Sequence, residues 1–175
     1  MDYLIWGVIV LALLTFLHVV MRFLHYRQLT NEIRAFFESR QMNYQLTCQR
    51  RRPYDWYIET VDRIILCKLY HIGRQENIVI TNPTTWIRTK KSDPIKIENR
   101  LLGVKAFIEA GQRIKNEKQK PVDLLAIFHP GPSQIRQFIN ENEMIIVNLH
   151  QKVYQYIFTA TDRLQEGLIQ ILNEK

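Results

Sequence analysis

At 175 residues, 46% hydrophobic and 23% charged, the chain suits one modest domain with a real core, and its composition excludes a disordered or low-complexity segment. The formal net charge of +7 favours acidic surfaces: anionic lipid, nucleic acid or an acidic protein. Two cysteines, Cys48 and Cys67, without metal-type spacing, exclude a disulfide framework and fit a reducing compartment.

The first element is an uncharged run from Tyr3 to Met21. About twenty apolar residues cross the roughly 30 Å hydrocarbon core as a helix, so the run predicts a transmembrane span. His18 lies near its inner end and is read as tolerated at the interface rather than as a proton relay. A cleavable signal peptide would need a basic start, a shorter apolar core and a small-residue cleavage site. Here the start is Met1-Asp2 and the run ends in Val19-Val20-Met21-Arg22, so a retained anchor over 1–27 is expected. Arg22 and Arg27 follow the run, with His25 between them, and only Asp2 precedes it. The positive-inside rule then predicts a single-pass protein of the cell membrane, N-terminus outside, with 28–175 as a cytoplasmic α/β domain. Its leading helix continues from the anchor: Leu29, Ile33, Phe36 and Phe37 keep helical spacing, with Glu32, Arg34, Glu38 and Arg40 on the wet face.

Beyond this helix, alternation predicts a strand over 43–51, with Tyr44, Leu46 and Cys48 on one face. A second strand is expected from Tyr54 to Val61, a tight turn at Asp62-Arg63, and a third strand from Ile64 to Tyr70. A short strand from Asn77 to Thr81 follows, and Asn82-Pro83 and Asp93-Pro94 read as breaks. A helix is expected from about Glu98 to Lys118, stopped by Pro121, with Lys115 and Lys118 suiting its C-terminal end. Leu124 to Phe128 is a continuous apolar run, the mark of a strand covered on both faces. A short helix over Ser133–Ile139, a second covered strand over Met144–Val147, and a remainder that is helical around Thr159–Thr161 complete the expectation. Strands that meander first and cross over later predict a mixed sheet with helices on both faces.

Conventional active-site signatures are missing from the sequence. The five histidines, His18, His25, His71, His129 and His150, are scattered, and no HxxxH, CxxC, P-loop, GxGxxG or GxSxG occurs. Both cysteines read as small core residues. Basic residues are more informative. Arg50-Arg51-Arg52 lies beside Tyr54, Trp56 and Tyr57, and Lys90-Lys91 lies near Trp86 and Arg88. These are the candidate binding residues, for lipid headgroups or for nucleic-acid phosphates.

From Asp55 to about Tyr154 the element order resembles the restriction-endonuclease-like, PD-(D/E)xK nuclease fold, nearest to nuclease-related (NERD-type) domains. The hairpin Asp55-Trp56-Tyr57-Ile58-Glu59 with Ile64-Ile65-Leu66-Cys67-Lys68 carries the likeness, together with Pro94-Ile95 leading to Lys105-Ala106-Phe107-Ile108, and Leu124–Phe128 followed by Met144–Val147. The resemblance implies an Asp on one strand and a Glu-x-Lys on the next, gathered at Mg²⁺ beside a scissile phosphate. Lys68 occupies the Lys position and Asp55 suits the Asp position, but Leu66 stands where the family has Glu. Leu cannot bind a hard cation. A relocated acid at Glu59 or Asp62 is the route to a nuclease, with Asp55 and Glu59 as metal ligands and Lys68 on the water. The reading favoured by Leu66 is a degenerate, non-catalytic domain that binds or scaffolds at the membrane. It needs no cofactor, and its partner would be anionic lipid, nucleic acid or a protein. A third reading is an accessory subunit of a larger membrane complex.

Overall fold

A computed structural model describes residues 2–49, 53–90, 93–141 and 143–173. Helix α1 runs unbroken over Asp2–Ser39. At 1.5 Å per residue that is about 57 Å, more than a bilayer core needs. Its two parts differ in surroundings. Side chains from Trp6 to Leu24 are almost all exposed, whereas Leu29, Ile33, Phe36 and Phe37 are buried against the domain. The helix is thus long and apolar enough to span a membrane in its first part and is a core helix in its last.

Eleven strands follow among the described residues: β1 Tyr44–Cys48, β2 Trp56–Thr60, β3 Ile64–His71, β4 Glu76–Asn82, β5 Thr85–Lys90, β6 Asp93–Arg100, β7 Val122–His129, β8 Gln134–Phe138, β9 Met144–Val147, β10 Lys152–Val153 and β11 Tyr156–Ala160. Helix α2 spans Val104–Lys118, and α3, Leu164–Asn173, ends the described chain after a short 3-10 turn at Thr161–Arg163. The strands form two sheets. The larger has the order β1-β2-β3-β7-β11-β10, and the smaller β6-β5-β4-β8-β9. In the larger sheet β1, β2 and β3 are an antiparallel meander, and β7 joins β3 in parallel with Ile64 opposite Val122 and His71 opposite His129. β11 lies parallel on the far side of β7.

The larger sheet is buried on both faces, as α/β architecture requires. On one face Ile58, Ile65, Cys67, Leu125 and Ile127 pack with Leu29, Ile33 and Phe37 of α1 and with Leu164, Leu168 and Ile171 of α3. On the other, Ile64, Leu66, Leu124 and Phe128 pack with Phe107 and Ile108 of α2 and with Ile78, Ile80 and Trp86 of the smaller sheet. Trp86 is the hub of that interface. Its ring centroid lies 4.8 Å from Tyr156, 5.1 Å from Phe158 and 5.6 Å from Tyr70, and its Nε1–H donates to the Tyr156 hydroxyl at 3.3 Å. Gly111 lets α2 approach β7 closely: a Cβ there would fall 2.7 Å from Leu124 Cδ2.

Several expectations are corrected. Asp93–Arg100 is a strand, so α2 begins at Val104 rather than near Glu98, after Gly103 at φ 82. The breaks at Asn82-Pro83 and Asp93-Pro94 lie in strands and turns of a second sheet that the sequence did not announce: Asn82 Oδ1 accepts the Thr84 N–H at 3.0 Å and closes the β4–β5 hairpin. Ser133–Ile139 is not helical. β8 pairs in parallel with β4, and that ladder overrides the i, i+3, i+4 spacing of Ile135, Phe138 and Ile139. Met144–Val147 is a strand but not a covered one. It is the edge of the smaller sheet, with Met144, Ile145 and Ile146 exposed. The parallel neighbour of β7 is instead β11, in a segment expected to be helical.

Candidate functional site

Antiparallel pairing of β2 with β3 sets Trp56 opposite Cys67 and so brings Asp55 beside Lys68. Lys68 Nζ is 3.4 Å from Asp55 Oδ2, with side chains 17% and 13% exposed. The same carboxylate oxygen accepts the Leu69 N–H at 2.8 Å, and the Asp55 N–H donates to the Cys67 carbonyl at 2.8 Å. Helix α1 reaches this point too. The Tyr26 hydroxyl donates to the Asp55 carbonyl at 2.8 Å, and the Tyr26 ring stacks on Trp56 at 4.6 Å. Trp56 Nε1–H donates to Thr30 Oγ1 at 2.8 Å. Asp55 is therefore built into the joint between α1 and the larger sheet.

Leu66 lies two residues before Lys68, on the face shared with Ile64 and Tyr70, and is fully buried. Glu59 is four residues along β2 from Asp55, about 13 Å at the rise of a strand. Its Oε1 accepts from Lys120 Nζ at 3.0 Å, its Oε2 accepts from the Tyr57 hydroxyl at 2.7 Å, and Lys118 stands at 4.0 Å. The Tyr57 hydrogen bond, followed by that from Lys120, holds the Glu59 carboxyl below its usual range. Asp62 is exposed in the β2–β3 turn. The sequence-predicted residues thus form two groups: Asp55 with Lys68, and Glu59 with Lys118 and Lys120 at the C-terminal end of α2. Among the described residues, no three His, Cys, Asp or Glu side chains are grouped to hold a metal ion. With Asp55 Oδ2 engaged by a backbone N–H and a lysine, and an aliphatic side chain in the neighbouring position, these residues do not fit Mg²⁺.

Of the expected basic binding residues, Arg50, Arg51, Arg52 and Lys91 lie outside the described residues, and Lys90 is exposed at the end of β5. Cys67 is no nucleophile: burial, and then the Asp55 charge, push its thiol pKa up.

Two features escaped the sequence. The first is a histidine cluster where α1 meets the ends of β3 and β7. The rings of His25 and His129 lie 4.0 Å apart, and those of His71 and His129 5.8 Å apart. Burial, and then the nearby charges of Arg22, His129, His25 and His18, push His71 down to about 4. His129 Nδ1 lies 3.0 Å from Thr161 Oγ1. No spacing in the sequence announces these contacts; they need the β3–β7 register and the docking of α1. The second feature is a cavity of about 550 Å³ lined by Lys68, His71, Arg88, Arg100, Leu101 and Leu102, among others. The sequence carries no signal for it, because its lining comes from β3, β5 and the β6–α2 junction, which only the fold brings together.

Comparison with protein-family models, with curated proteins and with solved structures finds no match to this chain.

Proposed function

We propose that this is a single-pass membrane protein whose cytoplasmic domain is a degenerate nuclease-like module that binds or scaffolds rather than cleaves. The apolar first part of α1 supports the anchor, and Arg22 and Arg27 after it support the inward orientation. The meander β1–β2–β3, with β7 returning parallel to β3 through β4, β5, β6 and then α2, supports the nuclease-like reading of the sheet. One observation carries the non-catalytic reading: Leu66, fully buried, fills the acid position beside an Asp55 already held by Leu69 and Lys68. Hydrolysis of a phosphodiester through Mg²⁺ needs at least a pair of hard oxygen ligands there.

The observation favouring the Mg²⁺-dependent nuclease is the 3.4 Å approach of Asp55 and Lys68. The exposed edge strand β9, with Ile139 nearby in sequence, favours the accessory-subunit reading, because an open apolar edge is a pairing surface. The deciding test is cleavage of labelled DNA and RNA by the full chain in nanodiscs with Mg²⁺ or Mn²⁺. No cleavage above a metal-free control is expected. Cleavage that disappears in both Asp55→Ala and Lys68→Ala would establish the nuclease.

A further inference from the structure

The cavity beside Lys68 stands at the level where α1 leaves its apolar span. A second cavity, of about 570 Å³, is lined jointly by Val19, Val20 and Arg22 of the helix and by Asp55, Leu69 and His71 of the sheet. Leu69 and His71 also line the first cavity. The end of β3 and the cationic cavity beside it therefore adjoin the inner end of the span, where lipid headgroups lie if the anchor is in a bilayer.

The first cavity has the chemistry for a headgroup. Three cations from three strands line it: Lys68, Arg88 and Arg100. Lys68 is matched by Asp55, and Arg88 by Glu76 at 3.7 Å, while Arg88 Nε is enclosed without a hydrogen-bond partner. Arg100 is exposed, donates to the Thr85 hydroxyl, and has no carboxylate partner among the described residues. Guanidinium groups suit phosphate oxygens because their donors are planar and paired. On the rim, Leu102 is 84% exposed. An aliphatic side chain beside a cationic pocket matches a lipid, with apolar chains next to an anionic head. A nucleic acid offers phosphates but gives Leu102 no apolar chain to cover it.

We propose that the cavity between the Lys68 end of β3 and the β6–α2 junction binds the phosphate-bearing headgroup of an anionic phospholipid in the same leaflet, with Leu102 inserted among the acyl chains. The domain then lies against the bilayer instead of swinging from its anchor. This inference rests on the anchored reading above.

The test is backbone hydrogen exchange of the full chain in nanodiscs of phosphatidylcholine, with and without phosphatidylglycerol. Slower exchange over 68–72 and 100–104 is expected only with phosphatidylglycerol. Arg100→Gln should raise the phosphatidylglycerol fraction needed for half-protection about fivefold, the equivalent of one basic residue at a charged surface. Leu102→Ser should weaken protection too. Both side chains are exposed, so neither change removes a core contact. Equal protection in neutral discs, or none in any disc, overturns the proposal. So does protection in neutral discs from inorganic phosphate, which assigns the cavity to a soluble anion, or from a single-stranded oligonucleotide, which assigns it to nucleic acid. A chain that does not enter nanodiscs overturns the anchored reading itself, a failure distinct from all of these.

Discussion

Asp55, just before β2, and Glu59, near its other end, are two acids in different surroundings. Asp55, at the end next to α1, is held by a backbone N–H, a lysine and the helix residue Tyr26 on its carbonyl. Glu59, at the far end, is held by the flexible side chains Lys118 and Lys120 and by Tyr57. One strand face thus offers an architectural carboxylate and a surface one. A catalytic pair would need both near one ligand, and the strand keeps them about four residue rises apart.

The sharpest way to break this contrast is to remove the architectural acid. Asp55→Ala leaves the Leu69 N–H and the Lys68 ammonium without their acceptor in a mostly enclosed place. A loss of about 3 kcal/mol in unfolding free energy is expected, measured by denaturant titration of the full chain in detergent. Asp55→Asn, which keeps an acceptor oxygen, should lose less. Equal stability of wild type and Asp55→Ala would erase the distinction between the two ends.

Acid should also weaken the end next to α1. His71 has a folded pKa of about 4, below its ordinary 6.5, so the unfolded chain takes up its proton first. Its contribution is complete above about pH 6.5 and is lost as pH falls from there towards 4. In His71→Gln the stability should fall less steeply across this window, and an unchanged slope would contradict the clustering of His25, His71 and His129.

The smallest effect is expected at the far end. Glu59→Gln should change stability by no more than about 1 kcal/mol, and the difference should shrink in salt. Because the Glu59 pKa is lowered, its contribution is present at neutral pH and is lost as pH falls through that lowered value. A Glu59→Gln loss as large as that of Asp55→Ala would show that both ends of the hairpin are architectural.

What was legible in the sequence follows from how one-sided each segment's burial is. The span shows because nothing charged interrupts it, and β7 shows because both of its faces are covered, giving Leu124 to Phe128 without a polar break. The β2–β3 hairpin shows through its turn and its alternation, and with it the closeness of Asp55 and Lys68. The smaller sheet stayed hidden because its strands mix polar and apolar residues, and because Ile135, Phe138 and Ile139 imitate a helical stripe. β11 was misread for a different reason. Tyr156 to Ala160 is buried on both faces, and such a run carries no period to tell a strand from a helix. The histidine cluster and the cationic cavity were illegible because their members come from α1, β3, β5, β6 and β7, and only the tertiary register brings them together.

The two cysteines allow a direct measurement of which side of the membrane holds the domain. Cys48 is exposed on β1, and Cys67 is buried within the larger sheet. A membrane-impermeant maleimide applied to cells expressing the full chain should leave it unlabelled. Inverted membrane vesicles should give labelling at one thiol, abolished by Cys48→Ser. Labelling of Cys48 from outside intact cells, or recovery of the chain in the soluble fraction, would contradict a domain held at the inner face of the membrane.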